Sequence, residues 1–388
     1  MLIVPIHDAQ AGMRLAASVL SPGNAEHELL KRGYTLDAVV IKRLRDLGVE
    51  SLYVDYPGLE DLDHQLGPDL TPSLLKVYGQ IKATIAAVQK TAQPTVGFAD
   101  YYVAIREMVI TLLAHGDHPN YVDLIASRLG NDAIHHAAAV SHLALTLGIR
   151  LHSYLIDQRK RLTASHAAEV TNIGVAGMLH DIGMAKLPEP IRAINDTLPP
   201  TKPALLAEWQ SHCQLGYDMI RGGTESSAAT AVLNHHQRFD GTGFPVIVGR
   251  DGNRRFHEGE EIHVFARIVS AADLFDNLAH PPCHSSRRSN AIVHRLIESR
   301  YSSALDPVIH RTLLAAVPPY PPGTRVHLAG GQTAIVATID PDYPYQPTVR
   351  LIDADGRLSE QPPICLAVPG APQILQHAPA SRHKPLAA

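Results

Sequence analysis

Leu179-His180-Asp181-Ile182-Gly183 closes an apolar run, Val175-Ala176-Gly177-Met178-Leu179, and the fold turns on how this stretch is read. An ionised carboxylate is costly to bury, and so is an unpaired imidazole. Something must compensate for both. A divalent metal does so most simply, because neutral imidazole and carboxylate are both good ligands. The plainer alternative is a His-Asp pair capping a helix, and the dipeptide by itself favours it.

Outward from this pair, histidines and aspartates recur in order: His136, His180-Asp181, His212, His235-His236 and Asp273. His136 precedes a helix expected over Ala137 to Leu147. His212 opens a helix from Cys213 to Ile220, and His235-His236 closes the apolar run Ala228 to Leu233. Asp273 lies in Ala266-Arg267-Ile268-Val269-Ser270-Ala271-Ala272-Asp273-Leu274-Phe275, a buried-looking helix. Helix-borne ligands converge on one point inside a helical bundle. Neighbouring residues on a helix point about 100° apart, so His180 and Asp181 both reach the centre only by addressing adjacent points. Two metals with Asp181 shared between them suit that arrangement.

The 388 residues suffice for two or three domains with a sizeable core. Net charge is −4, with Lys and Arg scattered, which excludes the basic stripe a nucleic-acid polymer requires. Cys213, Cys283 and Cys365 are far apart and odd in number. They give neither a disulfide framework nor a thiolate metal site, and they fit a reducing cytoplasm. The opening residues, Met1 to Asp8, are too short and too soon charged for a signal peptide, and no apolar run is long enough to span a membrane. A cytoplasmic location is expected.

The expected class is mainly α, a helical bundle with a small α/β N-terminal domain and a small β C-terminal appendage. Residues 1–57 form the N-terminal domain: Met13 to Leu20 is strand-like, Leu36, Val39, Val40 and Leu44 have helical spacing, and Gly48 to Asp55 is a strand. Residues 58–119 are a linker and helical connector, in which Ile105, Val109, Ile110, Leu112 and Leu113 form a core-facing stripe. Residues 120–316 hold the bundle. The stop signal Pro318-Pro319-Tyr320-Pro321-Pro322-Gly323 introduces three or four strands over 317–370, and 371–388 read as a disordered tail.

His136, His180-Asp181 and Asp273 resemble the pattern of the HD superfamily of metal phosphohydrolases. His212, His235-His236 and Asp240-Gly241-Thr242-Gly243-Phe244-Pro245 extend the resemblance to its HD-GYP branch, over roughly residues 125 to 316. The flanking segments resemble domains that accompany that branch. The resemblance implies an HD-type core and a phosphodiesterase that hydrolyses cyclic di-GMP to pGpG, GMP or both, by attack of a metal-activated hydroxide at a two-metal centre. It implies one metal on His136, His180, Asp181 and Asp273, and a second sharing Asp181 and taking His212, His235 and His236. The resemblance also implies that His180 and Asp181 are the catalytic pair. Iron or manganese suits these ligands. Substrate contacts are expected from Asp240, Gly241, Gly243, Phe244 and Pro245, with Lys186 and Arg287 as cations and the two glycines letting backbone approach the ligand.

Three departures from the family pattern bear on substrate rather than metal. Met184 stands where the family has lysine, Gln237 where it has glutamate, and the phosphate-binding stretch after Asp273 is replaced by His280-Pro281-Pro282-Cys283-His284 with Arg287 and Arg288 beyond. The alternative reading is therefore a weak or inactive member that serves as a cyclic-dinucleotide receptor or signalling scaffold. Asp132 is a candidate for a third metal. Asp276, three residues after Asp273, is expected to make a structural hydrogen bond. His142, His152, His166, His115 and His118 are expected to be surface or satisfied helix histidines, and Arg159-Lys160-Arg161 a solvated stretch. Signalling partners docking on the N-terminal domain and a homodimer complete the expectations.

Overall fold

The computed structural model describes residues 1–21, 24–62, 71–91, 98–115, 133–192, 202–248, 252–281, 287–353 and 356–375. Asp132, His118, Cys283, His284 and residues 376–388 of the expected tail lie outside them. The chain divides into two units, one made of residues 1–68, 117–130 and 317–388, the other of 69–116 and 131–316.

The first unit joins both ends of the chain. Strands β1 (Leu2–Pro5) and β4 (Ser51–Val54) pair antiparallel, β2 (Val19–Ser21) pairs with β3 (Asn24–Leu30), and α1 (Ala38–Asp46) lies between them in sequence. Asp37 caps α1, its carboxylate accepting from Val40 N–H at 2.8 Å. Of the strand-like run Met13 to Leu20, only Val19 and Leu20 enter a strand, while Arg14 and Leu15 make isolated bridges. Five C-terminal strands form an antiparallel sheet in the order β8-β7-β6-β5-β9, with β5 Arg325–Leu328, β6 Thr333–Thr338, β7 Thr348–Ile352, β8 Ile364–Cys365 and β9 Ile374–Leu375. That is one or two strands more than the alternation predicts, because β8 and β9 are two-residue pairings too short to show a period. Ile335 is buried in the same core as Met1, Leu2, Leu15, Leu52 and Leu59, with Ile352 and Leu358 packed against it. Ile3 N–H donates to the Gly323 carbonyl at 3.0 Å, and Arg350 donates to Gly58 and Asp61.

The second unit is helical. It contains α2 (Thr71–Lys90), α3 (Phe98–His115), α4 (Ala133–Arg150), α5 (His152–Gln158), α6 (Ala164–Ala167), α7 (Thr171–Leu179), α8 (Glu189–Arg192), α9 (Pro203–Gln210), α10 (His212–Ile220), α11 (Ser226–Asn234), α12 (Val264–Ala279), α13 (Asn290–Arg300) and α14 (Pro307–Ala316). The apolar stripe on α3 divides: Ile105, Val109 and Leu112 are buried, while Ile110 and Leu113 are exposed. Beyond Thr171 and Asn172, helix α7 is apolar on every side, as a helix enclosed by others must be. It packs on α4, where Ser141 Oγ donates to the Gly174 carbonyl at 2.8 Å. Helix α4 starts one turn earlier than the sequence suggests, so His136 sits within it. A buried ion pair ties α12 to the start of α14: Arg267 bonds Asp306, which also accepts from Tyr154 Oη and from Val308 N–H. No described helix is long and apolar enough to cross a membrane.

Candidate metal centre

Five elements bring the seven expected ligands together. His136 comes from the first turns of α4 and His180 and Asp181 from the end of α7. His212 opens α10, His235 and His236 follow α11, and Asp273 lies within α12. The α-helix stops at Leu179 and a 3-10 turn, Ile182–Lys186, follows. That change of winding aims two adjacent residues at adjacent points. The turn is held against α10 at Gly183, where a Cβ would lie 2.0 Å from the His212 carbonyl oxygen and 2.7 Å from Gly216 N. Only glycine permits that crossing, and it places Asp181 beside His212.

The histidines form two facing pairs. His136 Nε2 lies 3.1 Å from His180 Nε2, and His212 Nε2 lies 3.3 Å from His235 Nε2. Asp181 stands between the pairs. Its Oδ2 is 3.5 Å from His180 Nε2 and 3.9 Å from His136 Nε2, while its Oδ1 is 3.4 Å from His212 Nε2 and 3.7 Å from His235 Nε2. Asp273 Oδ1 reaches His136 Nε2 at 3.0 Å and His180 Nε2 at 3.6 Å, and its Oδ2 is 3.9 Å from His236 Nδ1. His180, His212 and His235 are fully buried, whereas the Asp181 side chain is 33% exposed. The cluster opens to solvent at Asp181.

The opposite ring nitrogens have their partners fixed by the backbone. Nδ1 of His180 bonds the Gly177 carbonyl at 2.8 Å, Nδ1 of His212 the Trp209 carbonyl at 2.6 Å, and Nδ1 of His235 the Val232 carbonyl at 2.7 Å. A carbonyl only accepts, so each Nδ1 carries the proton and each Nε2 presents a lone pair. His136 Nδ1 bonds Asp276 Oδ2 at 2.7 Å in the same sense. Asp276 thus makes the hydrogen bond expected of it, and its partner is a candidate ligand. Four lone pairs facing one another around carboxylates fit a cation, and outer partners of this kind are what metal-bound imidazoles use.

Electrostatics agree with that fit. Burial pushes Asp181 and Asp273 toward the neutral acid, but the surrounding imidazoles outweigh it and hold both carboxyls well below the usual range. Burial likewise disfavours a charged His136, yet its hydrogen bonds to Asp273 and Asp276 prevail and raise it well above an ordinary histidine. A proton on His136 thus supplies positive charge where a metal would. Burial pushes His212 down to about 4 and His236 well down, so these two rings are neutral imidazole at physiological pH.

The loop expected to face substrate is largely engaged with the protein. Asp240 accepts from Thr242 and Ser303, Gln237 donates to the Pro245 carbonyl at 2.6 Å, and Gly243 lies so close to residues 236–238 that a Cβ would be 2.4 Å from the His236 carbonyl oxygen. The absent side chain of Gly243 admits the protein's own backbone. Gly241 adopts a positive φ of 76°. Phe244, which precedes a cis Pro245, stacks on His236 at 4.6 Å between ring centroids and walls that side of the centre. Lys186 donates to the Thr91 carbonyl, and Arg287 to the Arg288 carbonyl and to Asn290, so protein oxygens engage both cations. Met184 packs with Leu187, Ile191, Trp209 and Phe244.

Position in the fold separates near neighbours in sequence. His135 points away from the cluster to the Tyr78 ring, 4.9 Å off, while His136 enters it. His142 is buried in α4 rather than at the surface. Arg159 is not solvated like Lys160 and Arg161: it donates to the His166 and Ala167 carbonyls and lies over the Phe265 ring. Two participants escaped the sequence. Trp209 lies 5.5 Å from His212, 5.3 Å from His236 and 5.3 Å from Phe244 between centroids. Its one signal was a spacing of one helical turn before His212. Cys213, set aside on cysteine spacing, has its Sγ 3.5 Å from His212 Nε2.

A family model described as an HD domain matches residues 136–307. The chain is 29% identical over 175 residues to the cyclic di-GMP phosphodiesterase PA4108 of Pseudomonas aeruginosa, a match covering 43% of this chain and 38% of that one. It is 34% identical over 118 residues to the cyclic di-GMP phosphodiesterase response regulator RpfG of Xanthomonas campestris pv. campestris, covering 28% and 27% respectively. It is 30% identical over 151 residues to a 3'3'-cGAMP-specific phosphodiesterase of Vibrio cholerae, covering 37% and 28%. The matches therefore span well under half the length of these relatives.

Proposed function

The chain belongs to the HD-GYP family of HD domains, and on that footing we propose that it is a phosphodiesterase for cyclic di-GMP. The observation that carries the reading is the pair of facing Nε2 contacts, 3.1 Å and 3.3 Å, on either side of Asp181. His136, His180, Asp181 and Asp273 would hold one divalent ion; Asp181, His212, His235 and His236 would hold the other. Iron and manganese suit these donors. Two such ions, when bound, lower the pKa of a water between them and neutralise the charge of the phosphodiester.

The chain's own residues do the rest. Asp181, partly exposed at the mouth, turns one oxygen to each histidine pair and would hold both ions. The carbonyls of Gly177, Trp209 and Val232 and the carboxylate of Asp276 keep the imidazoles in the ligating tautomer. Phe244 and Trp209 exclude water on one side, and the half-buried Phe244 would offer an aromatic face to a guanine. Asp240, Gly241, Gly243 and Pro245 act by shaping that loop. Lys186 or Arg287 would reach a phosphate only by exchanging its present partner. One water added to cyclic di-GMP opens one phosphodiester and yields pGpG, and a second water yields two GMP.

The test is turnover. Chain loaded with iron or with manganese is incubated with cyclic di-GMP and, separately, with 3'3'-cGAMP, and the linear products are followed. Product from cyclic di-GMP, absent from a His180→Ala/Asp181→Ala variant, is the expected result; equal rates for variant and wild type would refute it. Tight binding without turnover would favour the receptor reading, which the apolar packing of Met184 in place of a lysine supports.

A further inference from the structure

Cys213 follows His212 on α10 and is fully buried. Its Sγ lies 3.5 Å from His212 Nε2, which lies 3.3 Å from His235 Nε2. One donor atom from each of His212, Cys213, His235 and His236 can be chosen so that all four lie within 4.8 Å of one another. We propose that Cys213 is a protein ligand of the second ion position, adding a thiolate to three imidazoles and the shared Asp181 carboxylate, a set that selects zinc or another thiophilic divalent ion there. The inference rests on the two-ion reading above and adds to it a donor and a metal preference.

Two features carry it. The first is spacing. Zinc bonds of about 2.0–2.1 Å to nitrogen and 2.3 Å to sulfur give tetrahedral edges of about 3.3 Å between two nitrogens and about 3.6 Å between nitrogen and sulfur. The observed edges are 3.3 Å and 3.5 Å. The second is the direction of the hydrogen bonds. His212 Nδ1 is committed to the Trp209 carbonyl, so Nε2 is an acceptor and the Cys213 thiol donates to it. The thiol proton thus stands between two atoms that a dication can join. Binding releases that proton to solvent and leaves a thiolate. The other position has only imidazole and carboxylate donors, His136, His180, Asp181 and Asp273. Softness of donors therefore divides the centre, with the thiophilic ion on the α10–α11 side and the harder ion on the α4–α12 side.

Cobalt(II) reports on this directly. Full-length metal-free chain is titrated with cobalt and its absorption recorded. The expected result is a near-ultraviolet thiolate-to-cobalt charge-transfer band, present in wild type and absent from Cys213→Ser and Cys213→Ala, which still bind cobalt through imidazole. Zinc retention against a chelator falls about tenfold or more in either variant, since even outer-shell partners cost 10–100-fold in affinity. Cobalt bound by wild type without the band, or a band that survives in the variants through another thiol, overturns the assignment of Cys213 and leaves the two-ion reading standing. Failure of wild type to take up cobalt or zinc overturns both. The wild-type spectrum decides even where a variant does not fold.

Discussion

Single side chains at the centre have effects larger than their size. Gly183 is one: a methyl there would overlap the His212 carbonyl at 2.0 Å. Gly183→Ala is expected to displace the start of α10, cost about 1–3 kcal/mol as overpacking, and reduce bound metal from two equivalents to one, read by elemental analysis beside a thermal melt. Asp276 is another, because its carboxylate fixes the ring of His136. Asp276→Asn should weaken binding at the His136 position by about 10–100-fold, measured by calorimetric titration. Protonation separates the two halves. His136 is raised well above an ordinary histidine by Asp273 and Asp276, against the effect of its burial. A metal must displace its proton, so affinity at that position should fall about tenfold per pH unit below the raised pKa. His212, lowered to about 4 by burial, is already neutral there, so no proton on its ring opposes an ion at the other position. In the metal-free chain the same shift makes His212 bind more protons unfolded than folded between pH 6.5 and about 4. Its contribution to stability is therefore lost as pH falls through that window. Metal titrations at several pH values should show affinity at the α4–α12 position falling as His136 gains its proton.

At the scale of elements, the centre depends on helices that end where their ligands are needed. Helices α7 and α11 stop at Leu179 and Asn234, and α10 begins at His212. Each ligand ring then turns back to bond a carbonyl one turn earlier. Helix α12 supplies Asp273 and Asp276 three residues apart on one face, and its register is held by Arg267 against Asp306, both nearly inaccessible. Removing one partner of a buried pair leaves the other charge unpaired. Arg267→Ala should therefore destabilise the helical unit by about 3–5 kcal/mol. Denaturant unfolding followed through Trp209, the sole tryptophan and a member of that unit, measures it. Unchanged stability would show that α12 is held by its apolar face alone.

For the molecule, the two ends of the chain build one unit and the middle builds the other. The N-terminal core includes Ile335, with Ile352 and Leu358 packed on it, and Tyr56 Oη donates to the Gly356 carbonyl. Truncation after Ala316 removes these groups and opens that core. The truncated chain is expected to lose the unfolding transition of residues 1–62 while the Trp209-reported transition and metal uptake persist. Loss of metal uptake on truncation would contradict the independence of the helical unit.

The sequence by itself placed the helical block and the order of its histidines and aspartates, and the family resemblance marked seven of them as candidate ligands. Each ligand type is rare in apolar surroundings, and burial there demands compensation. Periodicity likewise placed the helices and the longer strands. It could not place what depends on contacts distant in the chain. The use of Gly243 for the protein's own backbone and the capture of Lys186 by Thr91 both follow from packing between elements. So does the union of the N-terminal core with a strand near residue 335. Cys213 belongs with these: cysteine spacing argued against a thiolate ligand, and only the fold set its sulfur beside the imidazoles of three separate positions. His180-Asp181 could be read from the chain because the cost of burying it is local. The company it keeps is a property of the tertiary structure, where residues far apart in sequence share one low-dielectric space.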